Sequence, residues 1–378
     1  MRVHVVVPEG FDDPGQPTGG NLYDRRVCAG LAEAGWDVPV TTVAGAWPDP
    51  GPGARADLAR VVSAIPDGEI VLIDGLIASS AAAQLLPHTG RIRITVLLHM
   101  LLATVLDTPH DAGAKRSERV VLRAAASVVV TSEWTRRQVL ARYEIPAHRV
   151  HVARPGVDRV TAPARPVRGS LICVGVLSLH KGQDLLVQAL ADLAERDWHC
   201  VLAGSLDRDP DFVEHLQARI SRLGLGHRIR LAGVLTGAAL SHAYTTADLL
   251  VAPSRSETYG MTVTEALAHG LPVMAAAVGG LPEALGSAAD GALPGQLVPP
   301  GDPAALAGAL GEWLGNERHR HRLRAAAQQR RLTLRGWEQT TQEIANALTA
   351  YRRSKPALRG SEQPRWKDQQ SGSNRPRR

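Results

Sequence analysis

The sequence predicts two α/β domains, each built on a parallel sheet, that face each other across a cleft. Both halves of the 378-residue chain repeat the order of apolar run, glycine-containing loop and helix with a 3.6-residue apolar period. Several apolar runs lack alternation, which is typical of strands buried on both faces of a parallel sheet. Between the halves, residues 161–169 contain two prolines and a glycine and no apolar period, as a linker does. The length suffices for two separate cores.

The first half opens with a strand at residues 2–7, a loop rich in glycine and proline, a helix at 22–34 and a strand at 36–42. The loop ends in Gly19 and Gly20, which would let a ligand approach the backbone just before a helix N-terminus. The spacing is not G-x-G-x-x-G, so a nicotinamide or flavin is disfavoured. A plain flexible turn remains an alternative.

Two further strands are predicted at residues 70–73 and 92–98, and they end at Asp74 and His99. Ligands of open α/β sheets bind at the carboxyl ends of the strands, so His99 is a candidate site residue. A hydrogen-bonded core histidine is the alternative interpretation. After His99, the sequence predicts a helix at 116–126, a strand at 127–130, a helix at 133–143 capped by Ser132 and a strand at 150–153.

The second half begins with a strand at 171–175 and a loop that carries Lys181 just before a helix. Only four of the 43 basic residues are lysines, so a lysine here suggests a specific chemistry. Strands are predicted at 199–203, 229–232, 249–252 and 271–277. Helices are predicted at 240–246, after Pro303 with Asp302 as its N-cap, at 317–331 with Asn316 as its N-cap, and at 337–351. The D-x-D at Asp207 and Asp209 is not interpreted as a metal site, because Pro210 is expected to start a helix there.

The stretch from 253 to 265, PSRSETYGMTVTE, is the centre of the functional prediction. It joins a buried strand to a helix, so the backbone N–H groups of Gly260, Met261 and Thr262 lie at a helix start, where an anion can bind. Glu257 and Glu265 flank this point. A sugar nucleotide suits such a site, because its diphosphate can accept from the amides and its hydroxyls can donate to the carboxylates.

This stretch, continued as ALAHGLPV, resembles the signature of the retaining glycosyltransferases of family 4, which have the GT-B fold. The turns R-P-G-V-D at 154–158 and V-P-P-G-D at 298–302 resemble turns of the same family. The resemblance covers roughly residues 1–351. It implies an N-terminal acceptor-side domain (1–160), a C-terminal donor-nucleotide domain (161–330) and a crossover helix (331–351) that returns to the N-terminal domain.

The resemblance also implies roles for individual residues. His99, Lys181 and Glu257 would be catalytic, with Lys181 offsetting the diphosphate charge and Glu265 holding the ribose hydroxyls. The implied donor-binding residues are Gly19, Gly20, Val176, Lys181, Gly204, Leu235, Glu257, Gly260, Met261, Thr262 and Glu265. No metal or other cofactor is expected, and the sequence defines no nucleophile.

One position departs from the family's pattern of G-R-L followed by K-G, because Val176 stands where the family has an arginine. In the family this arginine and the lysine together neutralise the diphosphate. Either another basic residue, such as Arg255, takes over this role here, or the backbone amides contribute more.

The formal net charge of +6 comes from the C-terminal tail. Residues 352–378 carry nine basic and two acidic residues, so the remaining chain has a net charge of −1. A nucleic-acid-binding body is therefore not expected. The tail composition predicts disorder, with a peripheral membrane contact through Trp366 and its basic neighbours as a less favoured alternative. Three cysteines without paired spacing and no apolar run of spanning length predict a cytoplasmic protein, with attachment at the inner face of the membrane left open.

The predicted function is transfer of a hexose from a nucleoside diphosphate sugar, a UDP- or GDP-sugar, to an unidentified lipid, glycan or small-molecule acceptor. Two alternatives remain open. A sugar-nucleotide epimerase of the GT-B type would turn over the donor without an acceptor. A non-catalytic nucleotide-sugar-binding or membrane-associated protein would bind the donor without turnover.

Overall fold

A computed structural model describes residues 1–13, 15, 17–102, 112–161 and 165–350. It contains two six-stranded sheets, and every strand pair within them is parallel. The first sheet has the order β2-β1-β3-β4-β5-β6 and the second β12-β11-β10-β7-β8-β9. This confirms the predicted fold class. The predicted tail at 352–378 lies outside the described residues.

The strand bounds follow the apolar runs of the sequence. The strands of the first sheet are β1 (Val3–Pro8), β2 (Val40–Val43), β3 (Ile70–Asp74), β4 (Arg93–Leu98), β5 (Ser127–Val130) and β6 (Val150–Val152). Those of the second are β7 (Ser170–Val174), β8 (His199–Ala203), β9 (Ile229–Gly233), β10 (Leu249–Ala252), β11 (Val273–Ala276) and β12 (Gly295–Val298). All residues of β3, β5, β10 and β11 are buried, because helices cover both faces of each sheet.

The helices connect successive strands or follow the last described strand, and they cover the sheets. In chain order they are α1 (Gly19–Glu33), α2 (Pro52–Ala64), α3 (Gly75–Ser80), α4 (Ala82–Leu85), α5 (Ala112–Ala124), α6 (Glu133–Tyr143), α7 (Gln183–Ala191), α8 (Pro210–Arg222), α9 (Gly237–Thr246), α10 (Met261–Ala268), α11 (Leu281–Leu285), α12 (Pro303–Gly315), α13 (Glu317–Arg331) and α14 (Trp337–Ala350). Single 3₁₀ turns occur at Leu86–His88, Ala147–Arg149 and Leu179–Lys181. None of the described helices combines the length and apolar character that a bilayer span requires.

Several helix starts are where the capping residues of the sequence predict them. Ser132 accepts from the N–H of Thr135 and starts α6, and Asn316 caps α13 in the same way. Asp302 caps α12, with Pro303 in its first turn. These three predictions are confirmed because the cap and the first turn are local features of the chain.

The start of α1 differs from the prediction. The hydroxyl of Thr18 accepts from the N–H of Asn21, so the helix begins at Gly19 instead of residue 22. Gly19 and Gly20 are therefore the first helical residues and not part of the loop before the helix. The predicted strand at 36–42 is also shifted, because pairing with β1 leaves only Val40–Val43 in the sheet.

The last of the described helices, α14, packs against the first sheet and α1, as the predicted crossover requires. Ile344, Ala347 and Leu348 are buried in the same core as Tyr23 of α1. The two helices approach closely at Gly30, where a Cβ would lie 2.2 Å from the Thr341 hydroxyl oxygen. The first sheet is therefore covered by the C-terminal end of the described chain.

Direct contacts join the two halves around the N-terminus of α6. Glu283, in the first turn of α11, accepts from the N–H groups of Glu133 (2.9 Å) and Trp134 (3.4 Å). The other oxygen of the same carboxylate accepts from Arg154 Nε at 2.5 Å. The second half thus supplies a negative charge to the positive end of a helix in the first half.

We expect the substitution Glu283→Ala to lower the melting temperature by several degrees, because it leaves Arg154 and two helix N–H groups without their acceptor. The loss is on the order of 1–3 kcal/mol. Glu283→Gln is the matched control, since its amide oxygen still accepts from the helix, and it is expected to recover part of the loss. Differential scanning calorimetry measures both variants. Equal melting temperatures for Glu283→Ala and the wild type would contradict a stabilising role of this contact.

Candidate donor site

The loop between β10 and α10 is shaped by Gly260. Its φ of +102° favours glycine, and a Cβ there would lie 2.5 Å from the Leu281 side chain. The turn starts α10 at Met261. Within the described part of the chain, no hydrogen bond uses the backbone N–H of Gly260, Met261 or Thr262. The predicted anion-binding position at this helix start is therefore available.

Two glycines just before α11, Gly279 and Gly280, hold this loop in place. Gly280 donates its N–H to the carbonyl oxygen of Glu257 at 3.0 Å. A Cβ on Gly279 would lie 1.7 Å from that same carbonyl oxygen, and one on Gly280 would lie 2.3 Å from that of Thr258. The consecutive glycines at 279 and 280 are the sequence feature that could have predicted this contact, because only glycine allows two backbone segments to approach so closely.

The side chains of Glu257 and Lys181 form an ion pair, with Nζ and Oε2 2.5 Å apart. Both are largely buried, with side-chain exposures of 15% and 24%. The pair forms because β10 lies beside β7 in the sheet, which places the loops that follow these two strands next to each other. An ammonium group has three donors, so Lys181 can contact both Glu257 and a diphosphate.

The carboxyl ends of β7 and β8 approach each other through two glycines. A Cβ on Gly204 would lie 1.8 Å from the carbonyl oxygen of Gly175. Val176 follows Gly175 and is half-buried, and its carbonyl accepts from the side chain of Gln183 at 3.0 Å. Leu235 follows β9 at the same edge of the sheet.

Arg255 does not present a free charge in place of the arginine that is missing at Val176. Its two terminal nitrogens each contact one oxygen of Asp184 at 2.7 Å, and one of them also donates to the carbonyl of Leu179. This bidentate pair raises the pKa of Arg255 and lowers that of Asp184 despite its burial. Of the two alternatives, a larger contribution from the backbone amides agrees better with this geometry.

Glu265, on the second turn of α10, has two partners that the sequence pattern did not predict. The hydroxyl of Tyr244 donates to Glu265 Oε2 at 2.9 Å, and His269 contacts the Glu265 backbone carbonyl through Nδ1 while its ring packs at a tilt against that of Tyr244. Burial raises the pKa of Glu265 to about 7, although the hydrogen bond from Tyr244 lowers it. The carboxylate is thus fixed in orientation and close to its titration point at neutral pH.

The first half contributes His99, which follows β4. Side chains from α1 and from the end of β3 surround it. Its Nε2 lies 2.7 Å from Asp24 Oδ1 and 3.6 Å from Asp74 Oδ2. The ring of Tyr23 packs against it edge to face, with centroids 5.2 Å apart. Asp24 and Tyr23 were not predicted, since nothing in the local helix pattern distinguishes them.

Gly19 and Gly20 lie between the two halves of the site. A Cβ on Gly20 would lie 3.3 Å from the ring of His99, and one on Gly19 would lie 3.4 Å from the sulfur of Met261. The start of α1 therefore bridges His99 and the start of α10. The predicted site residues lie in the loops or the first two helical turns that follow strands, and the close approach of Gly19 to Met261 brings those of the two sheets together.

Asp24, Asp74 and His99 are the group of potential ligands in the described chain whose donor atoms lie within 4.8 Å of one another. The 2.7 Å contact to Asp24 is a hydrogen bond, and Asp74 accepts from the N–H of Leu76. In the D-x-D segment, Asp209 accepts from the N–H of Phe212 and caps α8, as expected for a helix that starts at Pro210. The absence of a metal requirement stays a prediction.

A cavity of about 280 Å³ lies at the junction of the two halves. Its lining includes Arg154, Tyr259, Thr264 and Arg330 but none of Lys181, Glu257 and Glu265. We therefore assign this cavity to the domain junction and not to the donor site.

Solved structures with two such domains are similar to this chain over almost its whole length. Sucrose-phosphate synthase from Thermosynechococcus elongatus matches with a TM-score of 0.74 and 22% identity, covering 93% of this chain and 98% of that one. HepE from Anabaena, in complex with UDP and glucose, matches with a TM-score of 0.72 and 19% identity, covering 93% and 100%. The fold is accordingly GT-B.

The sequence matches identify the family. Residues 2–160 match the model described as Glycosyltransferase Family 4, and residues 165–330 match the model for glycosyl transferases group 1. The D-inositol 3-phosphate glycosyltransferase of Xylanimonas cellulosilytica is 32% identical over 271 residues, 66% of this chain and 63% of the relative. The D-inositol 3-phosphate glycosyltransferase of Kineococcus radiotolerans is 32% identical over 272 residues, which cover 66% of this chain and 62% of that relative. The chain belongs to glycosyltransferase family 4, and it spans less than two thirds of the length of these curated relatives.

Proposed function

We propose that this protein transfers a sugar from a nucleoside diphosphate sugar to a hydroxyl acceptor and retains the anomeric configuration. A UDP-sugar is the first donor to test, because the similar HepE structure holds UDP. The observation that carries the proposal is the arrangement of Glu257 and Glu265 on either side of an unsatisfied helix start, with Lys181 beside it.

Each part of the donor has a complementary group. The ribose hydroxyls donate to Glu265, which Tyr244 orients. The diphosphate accepts from the N–H groups at the start of α10, where the helix dipole also favours negative charge. The sugar lies between Glu257 and His99, where the loops that follow the strands of the two sheets approach each other.

In the transfer step, the bond between the anomeric carbon and the diphosphate oxygen breaks, and a bond to the acceptor oxygen forms on the same face. The proton of the acceptor hydroxyl moves to the departing phosphate oxygen. Lys181 and the α10 amides stabilise the charge that develops on the leaving diphosphate, and positioning supplies the remaining rate enhancement. This scheme requires no protein nucleophile.

The donor is tested by thermal shift against UDP-, GDP-, ADP- and dTDP-sugars. A donor present at 100 times its dissociation constant stabilises the folded protein by roughly 2.7 kcal/mol, an increase of about 5–10 °C in melting temperature. We expect one base to give this shift and Glu265→Ala to abolish it. If no donor shifts the melting temperature of the wild type, the proposal is wrong.

Transfer is then measured with the donor that binds. D-inositol 3-phosphate is the first acceptor to test, because it is named in the curated relatives, and lipid and glycan acceptors follow. Proton NMR of the product gives the anomeric configuration, and inversion would contradict the proposed mechanism. Epimerisation of the donor without any acceptor would instead support the epimerase alternative.

A further inference from the structure

We propose that Asp24 is a positioning residue for His99, which it holds through Nε2 so that Nδ1 is directed at the sugar of the donor. This inference rests on the proposed function, because it assigns the donor sugar to His99. It concerns a residue on α1 that lies 75 positions before the histidine in the sequence.

The geometry fixes one nitrogen of the ring and leaves the other available. Nε2 lies 2.7 Å from Asp24 Oδ1, while Asp74 is farther away at 3.6 Å and accepts from Leu76. Tyr23 forms one wall against the ring, and its hydroxyl donates to the carbonyl of Ala153 at 2.8 Å. Among the described residues, Nδ1 of His99 has no hydrogen-bond partner, and the side chain keeps 15% exposure.

The stability of the fold alone does not explain an aspartate at position 24. It is 3% exposed and lies in the buried stripe of α1 together with Tyr23, Val27 and Leu31. Its second oxygen, Oδ2, is buried without a hydrogen-bond partner in the described structure. A buried carboxylate with an unpaired oxygen destabilises a fold, whereas an apolar residue there would stabilise it. The contact with His99 gives a functional reason for a residue that lowers the stability of the fold.

The charges around the ring favour its cationic form. Burial lowers the pKa of His99, but Asp24 and, to a smaller extent, Asp74 outweigh this effect and raise it to about 8. Burial and Asp24 raise the pKa of Asp74 to about 7. Tyr23 and Cys28, two further titratable groups on this face of α1, stay neutral because burial and Asp24 raise the pKa of both, that of Cys28 to about 12.

A cationic His99 donates from both ring nitrogens. With Nε2–H directed to Asp24, Nδ1–H is left to donate to a sugar oxygen near the bond that breaks. Because Asp24 neutralises the charge of the ring, His99 contributes a directed donor and not a net positive charge, and it does not replace the arginine that is missing at Val176.

The test is the variant Asp24→Asn, with Asp74→Asn as the matched control. We expect Asp24→Asn to lower kcat about 10- to 100-fold while the thermal shift given by the donor is retained. The control is expected to change kcat less, because Asp74 is farther from Nε2. The fall of the wild-type rate above about pH 8 should move to lower pH in Asp24→Asn, since the imidazolium loses its nearest carboxylate.

A double-mutant cycle with His99→Gln separates positioning from a general loss of structure. If Asp24 acts through His99, then Asp24→Asn has little further effect on kcat in the His99→Gln background. An equal loss in both backgrounds would overturn the proposal. Loss of transfer after dialysis against EDTA would also overturn it, because a metal ion would then occupy the place of the hydrogen bond.

NMR of the protein labelled with ¹⁵N-histidine tests the contact itself, independently of any transfer. The His99 resonance, assigned by its absence in His99→Gln, should titrate at lower pH in Asp24→Asn than in the wild type. An unchanged titration would refute the contact even if transfer is observed. Absence of transfer with every donor would instead refute the proposed function and leave this titration interpretable.

Discussion

Replacing Lys181 with methionine is expected to lower kcat by about 100- to 1000-fold, the loss typical of removing one preorganised donor to a developing oxyanion. The effect should be large here because, in the described part of the chain, Lys181 is the cation paired with Glu257 beside the start of α10. Val176 supplies no charge, and Arg255 is held by both oxygens of Asp184. Steady-state kinetics with the donor identified by thermal shift measures the loss.

Two further variants show whether the missing charge itself causes this loss. Lys181→Met leaves Glu257 without its partner, so the double variant Lys181→Met, Glu257→Gln removes the unpaired carboxylate as well. If transfer recovers in the double variant, repulsion by Glu257 and not the absent lysine limits the rate. Arg255→Met is the matched control and should change kcat less than threefold. A loss as large as that of Lys181→Met would instead show that Arg255 contacts the diphosphate.

Glu265→Gln is expected to weaken donor binding and to stabilise the free protein at the same time. Hydrogen bonds from the ribose to a charged carboxylate contribute on the order of 1.5–3 kcal/mol each, so we expect the dissociation constant of the donor to rise about 100-fold at pH 8. Glutamine keeps the shape of the side chain and can still accept from Tyr244. Isothermal titration calorimetry measures the affinity.

The stability gain follows from the pKa of Glu265, which burial raises from 4.5 to about 7. The folded state binds this proton more tightly than the unfolded chain. The free energy of unfolding therefore decreases as the pH rises from 4.5 to about 7, and above that pH the decrease is complete. We expect Glu265→Gln to melt several degrees higher than the wild type at pH 8. The difference should shrink towards pH 5, where the folded carboxyl group is already protonated.

Donor affinity of the wild type should follow the same titration. Below pH 7 the carboxyl group must lose its proton to accept from both ribose hydroxyls, so the dissociation constant should rise by up to about tenfold per pH unit. The Glu265→Gln variant should lack this dependence. Unchanged affinity of the variant at pH 8 would show that another group holds the ribose.

Local patterns in the sequence determined the fold and the centre of the site. Uninterrupted apolar runs gave the strands, because each is buried on both faces regardless of its neighbours. Capping residues such as Ser132 and Asn316 fixed helix starts within their own first turn. The helix start at Gly260 and its two flanking glutamates were also predictable, since they lie within nine consecutive residues of the chain.

Only the tertiary structure decided how these side chains are paired. Lys181 meets Glu257 across 76 positions, and His99 meets Asp24 across 75. Arg255 is held by Asp184, and Tyr244 holds Glu265. These partners come together because of strand order, such as β10 beside β7, and because of the packing of α1 over the first sheet. Strand order depends on the free energy of the whole core, so short-range sequence patterns do not specify it.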